Sequence, residues 1–133
     1  MKIYVSGTFS AQSRLRAEAD LLRAAGHDVT GTWLFEPAKP AHLNDERWNH
    51  MLALKDIAQV HMADCIVLDL IGESTTGGRY VEWGITCAPR QPHLRYTVGG
   101  WPGVFGTMAH RHFKDWADLR AYFSVNHNPR QDR

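Results

Sequence analysis

The stretch CIVLDLI, residues 65–71, is the most apolar part of the chain and decides its fold class. Only Asp69 interrupts it, and such a run is typical of a central parallel strand that is covered on both faces. A second strand, KIYVS, is expected at Lys2–Ser6, and shorter strands at Asp28–Trp33 and Arg95–Val98. The sequence therefore predicts a parallel sheet built around residues 65–71.

Helical patterns separate these strands. They run from Ser10 or Ser13, either of which can cap the helix, to Gly26; from Asn44 to Asp64; from Tyr80 to Ala88; and from Asp115 to Phe123. The apolar faces are expected at Leu15, Ala19, Leu22 and Ala25 in the first helix and at Trp48, Leu52, Lys55, Ala58 and Met62 in the second. Residues 35–43, 72–79 and 99–107 read as loops. This alternation predicts an α/β fold with helices on both faces of the sheet.

Composition bounds the size and the partners of the protein. The 133 residues are 44% hydrophobic and 22% charged, which suits one domain over residues 1–124 followed by a polar, flexible tail at 125–133. A net charge of +1 gives no electrostatic case for nucleic acid or for a membrane surface, so small molecules are the expected partners. The longest apolar run falls short of the ~20 residues of a membrane span, and the first residues lead into a strand rather than a signal peptide, which favours the cytoplasm.

No cofactor or metal is expected. Cys65 and Cys87 read as buried thiols, and the eight histidines lack the spacing of zinc ligands. The pair Gly77-Gly78 is not followed by Lys-Ser/Thr, so the chain has no phosphate-binding loop of the Walker type, and Gly7-Thr8 lacks the dinucleotide fingerprint. The loops also show no acidic, aromatic-flanked site for a flavin.

Ligands of such folds bind beyond the carboxyl ends of the strands, so the chemistry is expected in the loops there. These ends carry Thr8, Ser10, Asp69, Ser74, Thr75, Thr76, Gly77, Gly78, Arg79 and Glu82. Glu82 is expected in the first turn of its helix, where an ionised carboxylate could attack an electrophilic carbon or merely complement the helix dipole. Tyr4 is either a structural strand aromatic or a side chain of the active end.

Several other side chains have two readings each. Asp56 is either a solvated helix residue or part of the site, and Asp69 lies either at the wet end of its strand or in a functional pair. Aromatic residues flank the expected cleft and could stack on a planar base: Trp33, Phe35, Trp48 and Trp101. The helical spacing of Trp48 favours a place in the core.

Three segments together resemble the nucleoside 2-deoxyribosyltransferase family. They are Ile3-Tyr4-Val5-Ser6-Gly7, then Lys55-Asp56-Ile57 with Ala63-Asp64, and Gly77-Gly78-Arg79-Tyr80-Val81-Glu82-Trp83-Gly84. The resemblance extends to about Phe123 and includes the relatives that hydrolyse 2′-deoxynucleoside 5′-monophosphates. It implies a flavodoxin-like three-layer sandwich and cleavage of the N-glycosidic bond of a 2′-deoxynucleoside.

The resemblance also implies roles for individual residues. Glu82 matches the nucleophile, Tyr4 the hydroxyl that orients it, and Asp56 the acidic residue near the sugar and the leaving base. The implied substrate-binding residues are Gly7, Thr8, Asp69, Thr76, Gly78, Arg79 and Thr107. Thr107 is the residue that could be lent to a neighbouring subunit, because the family implies a homodimer or a larger homo-oligomer.

Departures from the family pattern leave the reaction open. Transferases usually carry Asp where this chain has Thr76, whereas the monophosphate hydrolases carry a hydroxyl residue there, and Thr8 matches one of their phosphate contacts. Ser10 replaces their basic residue, so a phosphate would need Arg14 or Arg79. We therefore expect deoxyribosyl transfer between bases, with monophosphate hydrolysis as the alternative and a nucleotide-binding sensor without turnover as an alternative of another class.

Overall fold

A computed structural model describes residues 1–72, 77–100, 103–124 and 132. Its five strands are β1 (Lys2–Ser6), β2 (Asp28–Val29), β3 (Cys65–Asp69), β4 (Leu94–Val98) and β5 (Arg111–Phe113). The helices are α1 (Gln12–Ala24), α2 (Asp45–Met62), α3 (Gly78–Cys87), α4 (Gly103–Gly106) and α5 (Trp116–Ser124). Short 3-10 turns occupy Phe9–Ala11 and Thr32–Phe35.

The strands form one parallel sheet in the order β2-β1-β3-β4-β5, which is the flavodoxin-like order. β3 lies in the middle, pairs with β1 and β4, and is buried at all five positions. Helices α1 and α5 share one face, where side chains of both reach Asp69, and α2 packs against α3 and β1 on the other. The predicted α/β fold with helices on both faces is confirmed.

Helix α1 buries Leu15, Ala19 and Leu22, as its spacing predicts, whereas Ala25 lies beyond the helix and is exposed. The prediction of a serine cap is wrong. A 3-10 turn runs directly into the helix, and Ala11 at the N-cap makes no side-chain hydrogen bond. Gly26, with φ +91°, ends the helix as predicted, because glycine adopts this left-handed conformation without steric cost.

Helix α2 is capped as predicted: the backbone N–H of Arg47 donates to the Asn44 side chain at 2.8 Å. Its predicted apolar face is right only in part: Trp48, Leu52 and Lys55 are half-buried, whereas Ala58 is exposed and Met62 is 65% exposed. Val60 is the only residue of the helix that is fully buried. Polar and apolar residues are mixed around the circumference of α2, and the helix packs against the rest of the protein along a narrow strip. Apolar side chains are left in solvent as a result.

Other boundaries differ from the predictions. The second strand ends at Val29 rather than Trp33, because the indole N–H of Trp33 turns inward and donates to the Val5 carbonyl at 2.7 Å. Helix α3 begins at Gly78, two residues before the predicted start. Strand β5 was not predicted, and α4 occupies part of the expected loop at 99–107. The cap of α5 at Asp115 is confirmed by the Asp118 N–H at 2.9 Å.

Three further features bear on the expectations. Cys65 is buried as predicted, but Cys87 is only half-buried, since it faces the gap between α3 and α4. Within the tail, the structure describes Asp132 alone, whose carboxylate accepts hydrogen bonds from the hydroxyls of Tyr96 and Tyr122. In the described part of the chain, no helix is long and apolar enough to cross a membrane, and no cluster of His, Cys, Asp or Glu is arranged to hold a metal ion.

Candidate active site

Two hydroxyls hold the carboxylate of Glu82. The phenol of Tyr4 donates to Oε1 at 2.8 Å, and the hydroxyl of Ser6 donates to Oε2. Tyr4 and Ser6 are two residues apart on β1, so both side chains point to the same face of the sheet. Helix α3 lies across this face and carries Glu82. The period of the strand therefore brings both donors to one carboxylate.

Glu82 lies in the second turn of α3, because the helix begins at Gly78 and has no acidic residue in its first turn. The expectation that its carboxylate sits in the first turn is wrong, and with it the simple reading as a dipole-complementing residue. Burial raises the pKa of Glu82 to about 7, the nearby Asp56 raises it too, and the hydrogen bonds from Ser6 and Tyr4 lower it. Burial of the phenol beside Glu82 and Asp56 raises the pKa of Tyr4 far above its usual range.

A cleft of about 160 Å³ opens beside Glu82 at the carboxyl ends of the strands. Its lining residues are Gly7, Phe9, Trp33, Glu36, Leu52, Asp56, Gly78, Arg79 and Glu82. Three carboxylates, two aromatic rings and two glycines thus surround one small space. Gly7 has a packing reason as well, because a Cβ there would collide with the Leu15 side chain of α1.

Asp56 enters this cleft from α2 and is half-buried rather than a solvated helix residue. Its Oδ1 is buried and has no hydrogen-bond partner among the described residues. Burial raises the pKa of Asp56 to about 6, Lys55 lowers it, and Glu36 raises it. Lys55 donates at 2.5 Å to Glu36, which lines the cleft. An acid that retains a proton near pH 6 therefore lies in the same cleft as Glu82.

Asp69 is fully buried, and its carboxylate is occupied by the chain itself. Both terminal nitrogens of Arg14 bind it at 2.8 and 2.9 Å, and the indole N–H of Trp116 and the backbone N–H of Ile71 donate to it as well. It therefore joins α1 and α5 to the end of β3. This geometry is that of a buried ion pair with Arg14 and not of the wet end of a strand, and Asp69 is not among the described residues that line the cleft.

Arg79 lies at the start of α3 with a side chain that is almost entirely buried. Its Nη1 donates to the backbone carbonyl of Asp69 at 2.9 Å, and its guanidinium stacks on the ring of Tyr80 at 5.0 Å. Its Nε has no hydrogen-bond partner among the described residues. Arg79 lines the cleft, and Gly78 beside it lacks a side chain that could obstruct approach to the helix.

The structure does not bring all the other sequence candidates together. Thr8 is buried and its hydroxyl lies 3.0 Å from that of Ser10, while Thr107 donates to the Val104 carbonyl and does not line the cleft of its own chain. Thr76, Ser74, Thr75 and Trp101 lie outside the described residues. Of the aromatics, Trp33 lines the cleft. Phe35 instead packs under the guanidinium groups of Arg16 and Arg23, and Trp48 is half-buried rather than core.

Sequence reasoning missed four residues of the site. Ser6 could have been found from the strand period alone, because it shares a face with Tyr4. Phe9 and Leu52 are ordinary apolar residues, and Glu36 lies in a proline-rich loop without a regular pattern. Their placement depends on how the loops fold over the sheet, which a single sequence does not reveal.

Comparisons with known proteins agree with this architecture. No protein-family model and no curated protein sequence matches the chain. Among solved structures, a 2-deoxyribosyltransferase from Bacillus psychrosaccharolyticus is similar with a TM-score of 0.72 and 21% identity, over 99% of this chain and 96% of that one. The CMP N-glycosidase BcmB of Clostridium botulinum is similar with a TM-score of 0.54 and 12% identity, over 94% and 98%. The chain therefore has the fold of these two proteins, in agreement with the family that its motifs resemble.

Proposed function

We propose that this protein is an enzyme that cleaves the N-glycosidic bond of 2′-deoxynucleosides and transfers the deoxyribosyl group to another base. The observation that carries the proposal is the Glu82 carboxylate, held at both oxygens by Tyr4 and Ser6 in a cleft that also contains Asp56. A retaining glycosidase uses two such groups: a positioned carboxylate as the nucleophile and a second, protonated acid nearby as the general acid. The resemblance of the motifs and the fold of the two solved neighbours support the same chemistry.

In this mechanism Glu82 attacks the anomeric carbon of the deoxyribose. The bond between that carbon and the base nitrogen breaks, its electron pair leaves with the base, and a deoxyribosyl ester of Glu82 forms. The ionised carboxylate also stabilises the positive charge that develops on the sugar in the transition state. The hydrogen bonds from Tyr4 and Ser6 favour this ionised form against the cost of burial.

Asp56 supplies the proton that the departing base needs. Its carboxyl faces the same cleft, and a pKa of about 6 leaves a fraction of it protonated near neutral pH. When a second base enters, the steps run in reverse: the incoming nitrogen attacks the anomeric carbon, its proton passes to Asp56, and Glu82 is released. Water in place of that base would give hydrolysis.

Part of the cleft wall is apolar and suits the planar ring of a nucleobase. Trp33 and Phe9 line it with aromatic rings, and Leu52 closes it from α2. The ring of Trp33 is fixed by the hydrogen bond of its indole N–H to Val5, so it presents a rigid surface at small entropic cost. We assign the base to this end of the cleft and the sugar to the end at Gly78 and Glu82.

Hydrolysis of 2′-deoxynucleoside 5′-monophosphates is the second candidate, and one observation favours it. The guanidinium of Arg79 lines the cleft with an unpartnered Nε, among the described residues, and could meet an anion. Against it, Arg14 is committed to Asp69, and Nη1 of Arg79 is committed to a backbone carbonyl. Deoxynucleosides without phosphate are therefore the preferred substrates in our proposal.

The test is chromatography of the products. Purified protein is incubated with each of the four deoxynucleosides and, separately, with their 5′-monophosphates, with and without a different free base. A new deoxynucleoside that requires the added base supports transfer. Free base released from monophosphates alone supports the hydrolase, and nucleotide binding without any product supports the sensor. Glu82→Ala is the inactive control, and Glu46→Ala, an exposed glutamate in the first turn of α2, is the matched active one.

We further propose that two copies of the chain associate through α2 and α3. A groove of about 330 Å³ runs between these helices, and Asn49, Ala53, Ile57 and Val81 line it together with Asp56 and Glu82. Met51 and Leu54 continue the apolar surface along α2 at 48% and 57% exposure. Exposed apolar surface of this kind marks an interaction site. A second copy there would also cover the open side of Glu82.

A further inference from the structure

The hydroxyl of Ser6 is fully buried and lies between two acceptors. One is Oε2 of Glu82, and the other is the backbone carbonyl oxygen of Arg79 at 3.3 Å. A serine hydroxyl carries a single hydrogen, so it can donate to only one of the two at a time. Both acceptors belong to α3, and a rotation about one side-chain bond of Ser6 exchanges them.

Among the described residues, the second donor to Glu82 has one acceptor rather than two. The phenol of Tyr4 donates to Oε1 of Glu82 at 2.8 Å, and no other acceptor for it is found in the described part of the chain. The two oxygens of Glu82 are therefore unequal. Oε1 keeps its donor in every state, whereas Oε2 can be released without leaving the Ser6 hydroxyl unpaired.

We propose that Ser6 is a positioning residue that makes Oε2 of Glu82 the attacking atom, which rests on the proposed function of the site. In the resting enzyme Ser6 donates to Oε2. As the bond between Oε2 and the anomeric carbon forms and the bond to the base breaks, the Ser6 hydroxyl turns to the Arg79 carbonyl. Oε1 becomes the carbonyl oxygen of the ester and keeps the hydrogen bond from Tyr4.

The same arrangement accommodates the protonated carboxyl group. A proton on Oε2 can be donated to Ser6 Oγ while Ser6 donates to the Arg79 carbonyl, so neither state leaves a buried polar group unsatisfied. When Glu82 is ionised, it accepts hydrogen bonds from Tyr4 and Ser6. When it is protonated, it accepts from Tyr4 and donates to Ser6. Ser6 thus keeps a hydrogen-bond partner in both the ionised and the protonated state of Glu82.

Other titratable and charged groups lie around Glu82. Tyr4 faces it from β1, Asp56 from α2, and Arg79 precedes it on α3, with Glu36 and Lys55 on the far side of the cleft. Asp56 raises the pKa of Glu82 while Ser6 and Tyr4 lower it. A test of Ser6 must therefore leave Asp56 and Tyr4 in place.

The first experiment needs no substrate. The carboxyl carbon of Glu82 is followed by NMR during a pH titration of ¹³C-glutamate-labelled protein, with Glu82→Gln to assign the signal. Ser6→Ala is expected to raise the measured pKa of Glu82 by about one pH unit, because a hydrogen bond to the charged form is lost. Ser6→Thr, which retains the hydroxyl, should restore it, and Ser6→Cys fills the same space with a weak donor if the alanine variant does not fold.

An unchanged pKa in a folded Ser6→Ala or Ser6→Cys variant overturns the proposal, whatever the activity. When activity is measured, the alkaline limb of kcat/KM should move to higher pH and the maximal rate should fall, because the form with Glu82 ionised and Asp56 protonated becomes a smaller fraction of the enzyme. A raised pKa in a protein that turns over no nucleoside overturns the proposed function instead, and leaves Ser6 as the group that sets the proton affinity of Glu82.

The second experiment identifies the attacking oxygen. A 2′-fluoro deoxynucleoside analogue slows release of the ester, and the trapped protein is crystallised. We expect the ester oxygen on the side of Ser6, with the Ser6 hydroxyl bound to the Arg79 carbonyl. An ester oxygen beside Tyr4, with Ser6 still donating to the free oxygen of Glu82, overturns the proposal.

Discussion

The phenol of Tyr4 donates to Oε1 of Glu82 at 2.8 Å, although the two residues are 78 positions apart in the chain. Tyr4 is completely buried on β1, and the only polar atom of its side chain reaches the carboxylate. A buried phenol needs a partner, and a buried carboxylate needs donors, so the pair satisfies both. The contact connects the first strand to the helix that carries the proposed nucleophile.

Tyr4→Phe is expected to lower kcat by about 10- to 100-fold with a small change in KM. The ring continues to fill its place, but Glu82 loses one of two donors that orient and ionise it. The measurement is steady-state kinetics with a deoxynucleoside and an acceptor base. Wild-type kcat in this variant would make Tyr4 a structural residue.

Glu82→Gln is expected to reduce turnover by at least about a thousand-fold, because the amide cannot form the ester. The amide has nearly the shape of the carboxylate: its oxygen can accept from one hydroxyl, and its NH2 group can donate to the oxygen of the other, so thermal unfolding should be close to wild type. Glu46→Gln on the exposed first turn of α2 should retain full activity. Turnover by Glu82→Gln at more than a few per cent of wild type would contradict the nucleophile assignment.

The pH profile of kcat/KM is expected to be bell-shaped. Glu82 must be ionised, so the rate falls as the pH drops below its pKa of about 7, and Asp56 must be protonated, so the rate falls as the pH rises above its pKa of about 6. The two carboxyls interact, so the limbs belong to the pair, and the maximum should lie between these values. The productive form, with the proton on Asp56 and not on Glu82, is a minority species throughout.

Asp56→Asn separates the two limbs. The variant should lose the alkaline limb, and its maximal rate should fall by about 100-fold. The remaining acid limb should report the pKa of Glu82 alone, which should lie below about 7 because the negative charge that raises it is gone. Initial rates across the pH range check this. An alkaline limb that persists in Asp56→Asn would assign the acid to another group.

The sequence predicts the sheet better than its surroundings. Residues 65–71 fix the central strand because continuous apolar character leaves few alternatives to burial on both faces, and Gly26 and Asn44 fix helix ends by local backbone chemistry. Short β5 and α4 have too few residues for a periodic pattern. The prediction for α2 fails for a different reason: Ala58 and Met62 are apolar yet exposed, so a rule that places apolar residues inside fails there.

The residues of the candidate site likewise divide into those that the sequence predicts and those that it does not. The resemblance of the motifs to a known family indicates Glu82, Tyr4 and Asp56. Glu82 and Asp56 line one cleft, and Tyr4, which does not line it, donates a hydrogen bond to Glu82. Ser6 follows from the strand period once Tyr4 is chosen. Glu36 had no such signal, because its position depends on a 3-10 turn and a loop that no periodicity describes. The environment of the Asp69 carboxylate could not be predicted, because it depends on Arg14 and Trp116. These residues approach Asp69 from two helices that are far apart in the sequence.

Asp69→Ala is expected to destabilise the protein by about 3 kcal/mol. The change removes the acceptor for Arg14 and for the indole N–H of Trp116, and Trp116 is buried, so its donor is left without a partner. Urea unfolding measures the effect, and Asp20→Ala, which breaks an exposed pair with Arg23, should change stability by less than about 0.5 kcal/mol. A loss below about 1 kcal/mol for Asp69→Ala would mean that the buried pair contributes little to stability.

The proposed association through α2 and α3 gives the last prediction. Leu54→Glu places a charge in the middle of the exposed apolar surface of α2, and burying that charge against a second copy would be costly, so the variant should be monomeric where wild type is dimeric. Leu21→Glu is the matched control, because Leu21 is 49% exposed on α1, on the other face of the sheet, and should leave the oligomeric state unchanged. Light scattering after size-exclusion chromatography gives the mass of each. If the dimer contributes to the site, Leu54→Glu should also raise KM while its thermal unfolding stays independent of protein concentration, whereas a wild-type protein that is itself monomeric at working concentrations would exclude this interface.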